Sequence, residues 1–478
     1  MDQFDAGQYR GRPSSLWLRR GDGAAVSFYP YHLLQRKAEV LDIVGDWRLA
    51  ESIHRRGLAL AEVDADQRLR ADTQALLAGV LYKKGRYSET SDLLHAALSY
   101  YQRAGDRRSA GRMLGEIGNV HRAQGDYDRA MEYYGRHLAI AEAIGDRQAV
   151  SRTVGNMGNV YRVRGQHARA MECYRRERQL SEALGDRQAA ALATGNIGLV
   201  HFNQGSYAAA LEHTLQFLRS AQMLGDKHNV GVACGVLGTV YRAQGRLGDA
   251  MDAYRRQLAI MNDLGDVRSK TYALGNIAQV YKLQYDYPMA MEYCRRHLAL
   301  AEELGDKRSV SFAEGALGGL YRTLLAHRKA QDHYRRAIAL CQDLRLLPEL
   351  ADNLNQLSEL SLDQGAAAAA RDLNARALAV AAETGRPDAG FAARVMAARL
   401  AALDSPADGA AMLRSLDDGR LTALQQAEVS YRLFAVTRDP EHRRRARDAY
   451  RSLCAAAPDP ALKVRLEELT DGAPEPGA

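Results

Sequence analysis

Arg122, Arg162, Arg242, Lys282 and Arg322 stand at multiples of forty residues from one another, with Tyr82 and Phe202 holding the remaining places of the series. A row of cations at constant spacing is suited to holding anions, because guanidinium groups make charge-assisted, often bidentate hydrogen bonds to carboxylates. Three residues earlier the register reads Gly79, Asn119, Asn159, Leu199, Thr239, Gln279 and Gly319, and three earlier again it supplies Asn156, Asn196 and Asn276. Side-chain amides can pair with both the N–H and the C=O of an extended backbone. Arg112 and Arg152 join the set, because positions 112, 115, 119 and 122 are spaced by threes and fours and share one helix face. These residue types bind a chain; they do not break bonds.

The elements that position them repeat with the same period. Gly105, Gly145, Gly185, Gly225, Gly265 and Gly305 are each followed by aspartate, Asp106 through Asp306. Glycine tolerates the positive φ that ends a helix, and aspartate caps the next one by accepting free N–H groups. Gly85, Gly125, Gly165, Gly205 and Gly245 punctuate halfway, so each unit reads as two helices, A and B. In helix A the column Ile117, Met157, Ile197, Leu237, Ile277, Leu317 is apolar, and beside it run Gly118, Gly158, Gly198, Gly238 and Gly318. Glycine within a helix costs about 1 kcal/mol against alanine, so its repetition predicts close backbone approach. Ala130, Ala170, Ala210, Ala250, Ala290 and Ala330 do the same in helix B. Self-similarity of this kind marks a solenoid, in which each unit buries its apolar face only on its neighbours.

Small-then-Tyr on helix A (Gly158, Tyr161) and Ala-then-Tyr on helix B resembles the tetratricopeptide repeat. The forty-residue length, Asn156-Met157-Gly158-Asn159-Val160-Tyr161 and the closing Gly145-Asp146 resemble the Pins/LGN-type scaffolds of that family. The resemblance covers residues 31–384 and implies an all-α, right-handed superhelix of about ten antiparallel helix pairs. It also implies that helix A lines the concave groove. In that subgroup groove asparagines and arginines hold an extended partner peptide, which places the same role on Asn119, Asn156, Asn159, Asn196, Arg122, Arg162 and Arg242. The column continues through Phe202, Asn276, Gln279, Lys282 and Arg322. The G-protein motifs of the subgroup do not carry over: Leu416-Asp417-Asp418-Gly419-Arg420 has glycine where glutamine is needed.

Residues 1–30 break the pattern and read as an irregular lead-in or cap, with Trp17 and Phe28 packing onto the first hairpin, 31–63. The regular array runs through 31–384, drifting where Tyr285 and Leu325 replace glycine. Residues 385–470 read as degenerate helical repeats and a C-terminal cap after the GRPD turn, and 471–478 as a disordered tail.

The balance of charge, +7 with a pI near 9.0, suits an acidic partner. Nucleic acid is disfavoured, since base-stacking surfaces interleave exposed aromatics with cations. Here most tyrosines fall in packing columns, leaving Tyr82, Phe202 and Tyr272 in the groove. No apolar run approaches the ~18 residues of a membrane span. Asp2, Asp5 and Arg10 without an apolar core argue against a secretory signal, and five cysteines without Cys-x-x-Cys spacing read as reduced, which together place the chain in the cytoplasm. The Gly-x-x-Gly runs follow no strand and form no phosphate loop, and His121 and His201 fill the tyrosine column, so neither enzyme, cofactor nor metal is expected. Glu132–Arg136, Glu172–Arg176, Asp252–Arg256, Glu292–Arg296 and Asp332–Arg336 are expected as i,i+4 ion pairs on the outer face. Function is read as a protein-binding scaffold for an extended acidic segment. The alternatives are a regulatory module that senses a small peptide or controls a separate effector, and an RNA-binding helical repeat.

Overall fold

The computed structural model describes residues 46–63, 66–384, 390–416, 421–456 and 460–470, together with 17–18, 29–30, 37–38 and 41. The lead-in packing of Phe28, the GRPD segment, Asp417 to Arg420 and the tail at 471–478 lie outside the described residues. Trp17–Leu18 and Tyr29–Pro30 pair as a two-residue antiparallel ladder with Trp17 opposite Pro30. Every other element among the described residues is a helix.

Eight regular hairpins follow the single helix Trp47–Val63, from Gln67–Lys83 with Tyr87–Arg103 to Leu347–Asp363 with Ala367–Glu383. Shorter hairpins, Phe391–Ala402 with Pro406–Ser415 and Ala423–Thr437 with Pro440–Ala456, precede a last helix, Pro460–Thr470. Among the described residues this makes ten helix pairs with one helix at each end, an all-α solenoid. None of these helices is long and apolar enough to cross a membrane.

The punctuation works as the sequence implies. Gly105 has φ +69° and Gly125 +83°. Asp106 accepts the Ser109 N–H at 3.0 Å, and Asp146, Asp186, Asp226, Asp266 and Asp306 cap their helices alike. Such a cap contributes about 1 kcal/mol. Of the glycines inside helix A, Gly198 shows the expected close approach, with the Ala210 backbone oxygen 3.3 Å from where its Cβ would lie, while others serve a different purpose. A Cβ on Gly118 would lie 2.6 Å from the Tyr134 ring, on Gly238 2.6 Å from Tyr254 and on Gly318 2.8 Å from Tyr334. Each glycine makes room for a fully buried helix B tyrosine.

The outer-face ion pairs do not close among the described residues. Arg136 and Arg296 lie over the rings of Tyr133 and Tyr293, 5.3 and 4.9 Å from their centroids, and Arg176 reaches Glu142 of the preceding repeat at 3.1 Å. For Arg136 and Arg296 the tyrosine face competes with a solvated carboxylate, whose attraction across water is small. His121 stacks on Tyr133 and His201 on His213, both at 5.3 Å, which gives these histidines packing roles.

The array curls until its beginning meets its later repeats. Gly85 sits against Leu344 and Lys307, Gly125 against Pro348, and Trp47 shares an apolar cluster with Val80 and Leu304. The A–B turns of the early repeats thus rest on the B–A′ turns of repeats more than two hundred residues later.

Candidate functional site

Helix A forms the inner wall of this curl. Arg308 and Arg268 come near enough to Tyr87 to act on its hydroxyl, and Arg308 also acts on Arg122. The sequence-derived columns therefore face a shared lumen, and their members fare differently within it.

The first group stands open. Asn119, Arg122, Asn159, Arg162 and Arg242 are half-buried, and Arg112 and Arg152 are exposed. The Tyr134 hydroxyl donates to Asn119 Oδ1 at 2.7 Å, and the Tyr174 hydroxyl to Asn159 Oδ1 at 2.9 Å. In the next such unit Thr239 Oγ1 and the Tyr254 hydroxyl are 3.1 Å apart. The hydroxyls of Tyr134 and Tyr174 also approach Arg122 and Arg162. Each asparagine is thus fixed by its carbonyl, so its amide protons point elsewhere; Asn119 donates one to Glu116 at 3.1 Å. The Nε atoms of Arg122, Arg162 and Arg242 are buried without a hydrogen-bond partner, and among the described residues no carboxylate pairs with these three side chains.

Sequence reasoning took the helix B tyrosines for packing alone. The signal that ties them to the groove is a correspondence between columns. Tyr134, Tyr174, Tyr254 and Tyr334 match Arg122, Arg162, Arg242 and Arg322, whereas Leu94, Thr214, Cys294 and Asn374 match Tyr82, Phe202, Lys282 and Leu362. Within this column, among the described residues, arginine stands only where a buried tyrosine stands behind it.

The remaining residues of the set differ. Asn156, Asn196, Asn276 and Gln279 are half-buried on the same wall. Phe202 tilts against Tyr207 at 5.8 Å. Burial, with Arg322 nearby, lowers the Lys282 ammonium from its ordinary value, while Cys294 acts the other way. Arg322 is clasped: Glu359 takes it at 2.6 Å, Asp363 at 2.9 Å and Gln356 Oε1 at 3.3 Å. The sequence reading placed no acid opposite the arginine column, yet Glu359 is its own 119-type column carried forty residues further. Arg308, four residues nearer the helix start than the sequence reading looked, is likewise held by Glu349 at 2.8 Å. Apolar side chains also reach the lumen: Leu192, Tyr272 and Phe312, in register with Arg112, are 37%, 43% and 48% exposed.

With this geometry in hand, the comparisons with known proteins define the class. The tetratricopeptide repeat family profile matches residues 69–143, 188–263 and 271–343. In those stretches the chain carries tetratricopeptide repeats. No curated protein sequence matches it. Among solved structures it is similar to a Rap protein complexed with competence and sporulation factor, at 14% identity and a TM-score of 0.53, over 74% of this chain and 98% of that one. It is also similar to BtubC of P. vanneervenii, at 21% identity and 0.38 over 46% and 90% of the two chains. A third is aspartyl phosphate phosphatase F of Bacillus subtilis, at 14% and 0.44 over 76% and 96%. The Rap likeness supports the solenoid fold. The repeats make the chain a protein-interaction or regulatory module.

Proposed function

We propose that the inner wall binds an extended, acid-containing peptide or protein segment, and that the chain acts as a non-catalytic scaffold in the cytoplasm. The observation that carries this reading is the set Arg122, Arg162 and Arg242: three half-buried guanidinium groups, backed by tyrosines and left without a carboxylate. A buried charge is costly unless it is paired, so an incoming carboxylate gains both its hydrogen bonds and the relief of that cost. Packed helices lie about 9–10 Å apart and an extended strand advances about 3.3 Å per residue, so one repeat spans roughly three ligand residues. Asn119 and Asn159, held by their carbonyls, offer amide protons to a ligand backbone, and Leu192, Tyr272 and Phe312 offer apolar contact.

A second reading, a regulatory module that responds to a small peptide, is favoured by one observation. The Rap protein of similar fold is complexed with competence and sporulation factor. Both readings use the same wall. The test is capture from the native cytoplasm by the wild type, by Arg122, Arg162 and Arg242 changed together to Ala, and by Arg136, Arg256 and Arg296 changed together to Ala. Both triples remove the same charge. Loss with the first alone, and weakening of the wild type by salt, are expected. Equal loss in both, or retention in both, overturns the reading.

A further inference from the structure

The contact by which the chain closes on itself has unused halves. Where early A–B turns rest on late B–A′ turns, the leucines that end helix B are covered: Leu304 is 8% exposed and Leu344 3%. The same column in the middle repeats is bare, Leu184 at 42%, Leu224 at 41% and Leu264 at 37%, with Met223 beside them at 82%. The leucines are identical in kind and place. They differ only in whether a turn of the curl lies over them.

The opposite edge shows the complementary feature. Most A–B turns end in glycine with positive φ, as Gly165, Gly205 and Gly245 do. Tyr285 and Leu325 hold that conformation without being glycine, at φ 60° and 57°. A left-handed backbone is sterically unfavourable for such residues, because the Cβ crowds the following carbonyl oxygen. Leu325 is nevertheless 75% exposed, Leu324 45% and Tyr285 46%, so within one molecule the strain places apolar side chains in water. A persistent strained residue points to a function that the strain serves. Among the described residues the array has one further non-glycine residue of this kind, Arg345, and it lies within the in-chain contact, on the same cavity as His121, Asp126 and Leu347.

We propose that a second copy of this chain stacks head-to-tail on the first, the A–B turns around Leu324 and Leu325 of one copy seating on the B–A′ turns around Leu184, Met223 and Leu224 of the next. Repetition fixes the geometry: every A–B turn faces one end of the curl and every B–A′ turn the other. Among the described residues neither patch is covered. The in-chain contact already shows this kind of edge seated on that kind of edge, with the leucines buried between them. The association is heterologous, so it extends beyond a dimer unless the rotation closes a ring.

Sedimentation velocity of the full chain across a dilution series tests this. The wild type is expected to gain mass with concentration. Met223→Glu and Leu325→Glu, each at a well-exposed position, are expected to weaken association about tenfold or more. A one-to-one mixture of the two keeps a single intact interface per pair and is expected to yield dimers and nothing longer. Leu325→Gly restores the residue that other repeats carry, and is expected to raise thermal stability while weakening association. This separates the contact from folding. A wild type that stays monomeric at every concentration overturns the proposal, as does unchanged association in either glutamate variant. A monomeric wild type that is destabilised by Met223→Glu overturns it in favour of cover by residues 1–45 of the same chain.

Discussion

Between residues 112 and 242 the inner wall holds arginines that no carboxylate among the described residues neutralises, whereas between 308 and 363 the arginines are clasped, Arg308 by Glu349 and Arg322 by Glu359 and Asp363. Arg162 and Arg322 occupy the same place in their repeats and both stand before a buried tyrosine. What separates them is the next A helix, which brings Asn196 and Leu199 toward one and Gln356 and Glu359 toward the other. The buried seam between the helices changes with it. Behind the open stretch it carries His137, Glu177, Phe217 and Gln257; behind the clasped end it carries Ala337 and Ala377. Residue type alone therefore does not make a receptor. An arginine is a receptor where its neighbours leave the charge unpaired, and a cross-link where they do not.

The largest effect belongs to the open stretch. Arg122, Arg162 and Arg242 changed together to Ala should weaken an acidic segment about a hundredfold, since each charge-assisted bond contributes at least about 1 kcal/mol at an open groove. Titration of a captured partner by calorimetry checks this. Arg322→Ala should leave the affinity within about twofold; a comparable loss from it would abolish the distinction between the two regions.

Glu177 gives the next effect, in stability. Its carboxyl group fills the space over Gly155, with Oε2 buried and unpartnered, and burial pushes its pKa from 4.5 to about 8. The folded chain then keeps this proton across neutral pH, while the unfolded chain releases it above 4.5. The unfolded state binds fewer protons in that window, so stability falls as pH rises from 4.5 toward about 8 and stays low above it. Glu177→Gln, which mimics the neutral acid, should match the wild type near pH ~5 and exceed it by roughly 2 kcal/mol near pH ~8.5. Urea unfolding at the two pH values measures the difference, and a variant no more stable at the higher one rejects the assignment.

Undoing the clasp comes third. Glu359→Gln with Asp363→Asn should free Arg322 to act as a fourth receptor and tighten an acidic ligand by about fivefold. The same change should destabilise the fold by roughly 1 kcal/mol, a modest figure because these partners are partly exposed. Tightening without destabilisation would mean that Arg322 was never tied to the next helix.

Much of this molecule is written in the period of its sequence. The glycine and aspartate columns define hairpins and caps because both act through local backbone geometry. The arginine and asparagine columns define a face because helical spacing alone decides who shares one. Two things stayed hidden for physical reasons. Seating Gly85 on Leu344 depends on small rotations summed over six repeats, which no local pattern encodes. In the sequence, bulk alone accounts for the tyrosines behind the arginines. Their hydroxyls matter only through the pairing of columns, Tyr134 with Arg122 and Thr214 with Phe202, which was visible in the sequence once both columns were set side by side.

That pairing carries the smallest and most specific expectation. Tyr174 is fully buried, donates to Asn159 at 2.9 Å and approaches Arg162. Tyr174→Phe keeps the ring over Gly158 and removes only the hydroxyl, leaving Asn159 Oδ1 to seek water at the groove. A lost hydrogen bond of this kind costs about 1 kcal/mol, and the half-buried amide can be partly resolvated, so a fall in stability below that is expected. Ligand affinity should drop about two- to threefold, because Asn159 and Arg162 are no longer held in one orientation. Phe217→Tyr makes the reverse control poorly, since Phe217 packs on Gly195 one helical turn away from the Thr214 place. The better control is Tyr334→Phe, whose hydroxyl lies 3.5 Å from Gln356 at the clasped end. There the same deletion should cost comparable stability and leave affinity unchanged. If both variants bind alike, the tyrosines are packing residues after all, and the open and clasped arginines differ only in their acids.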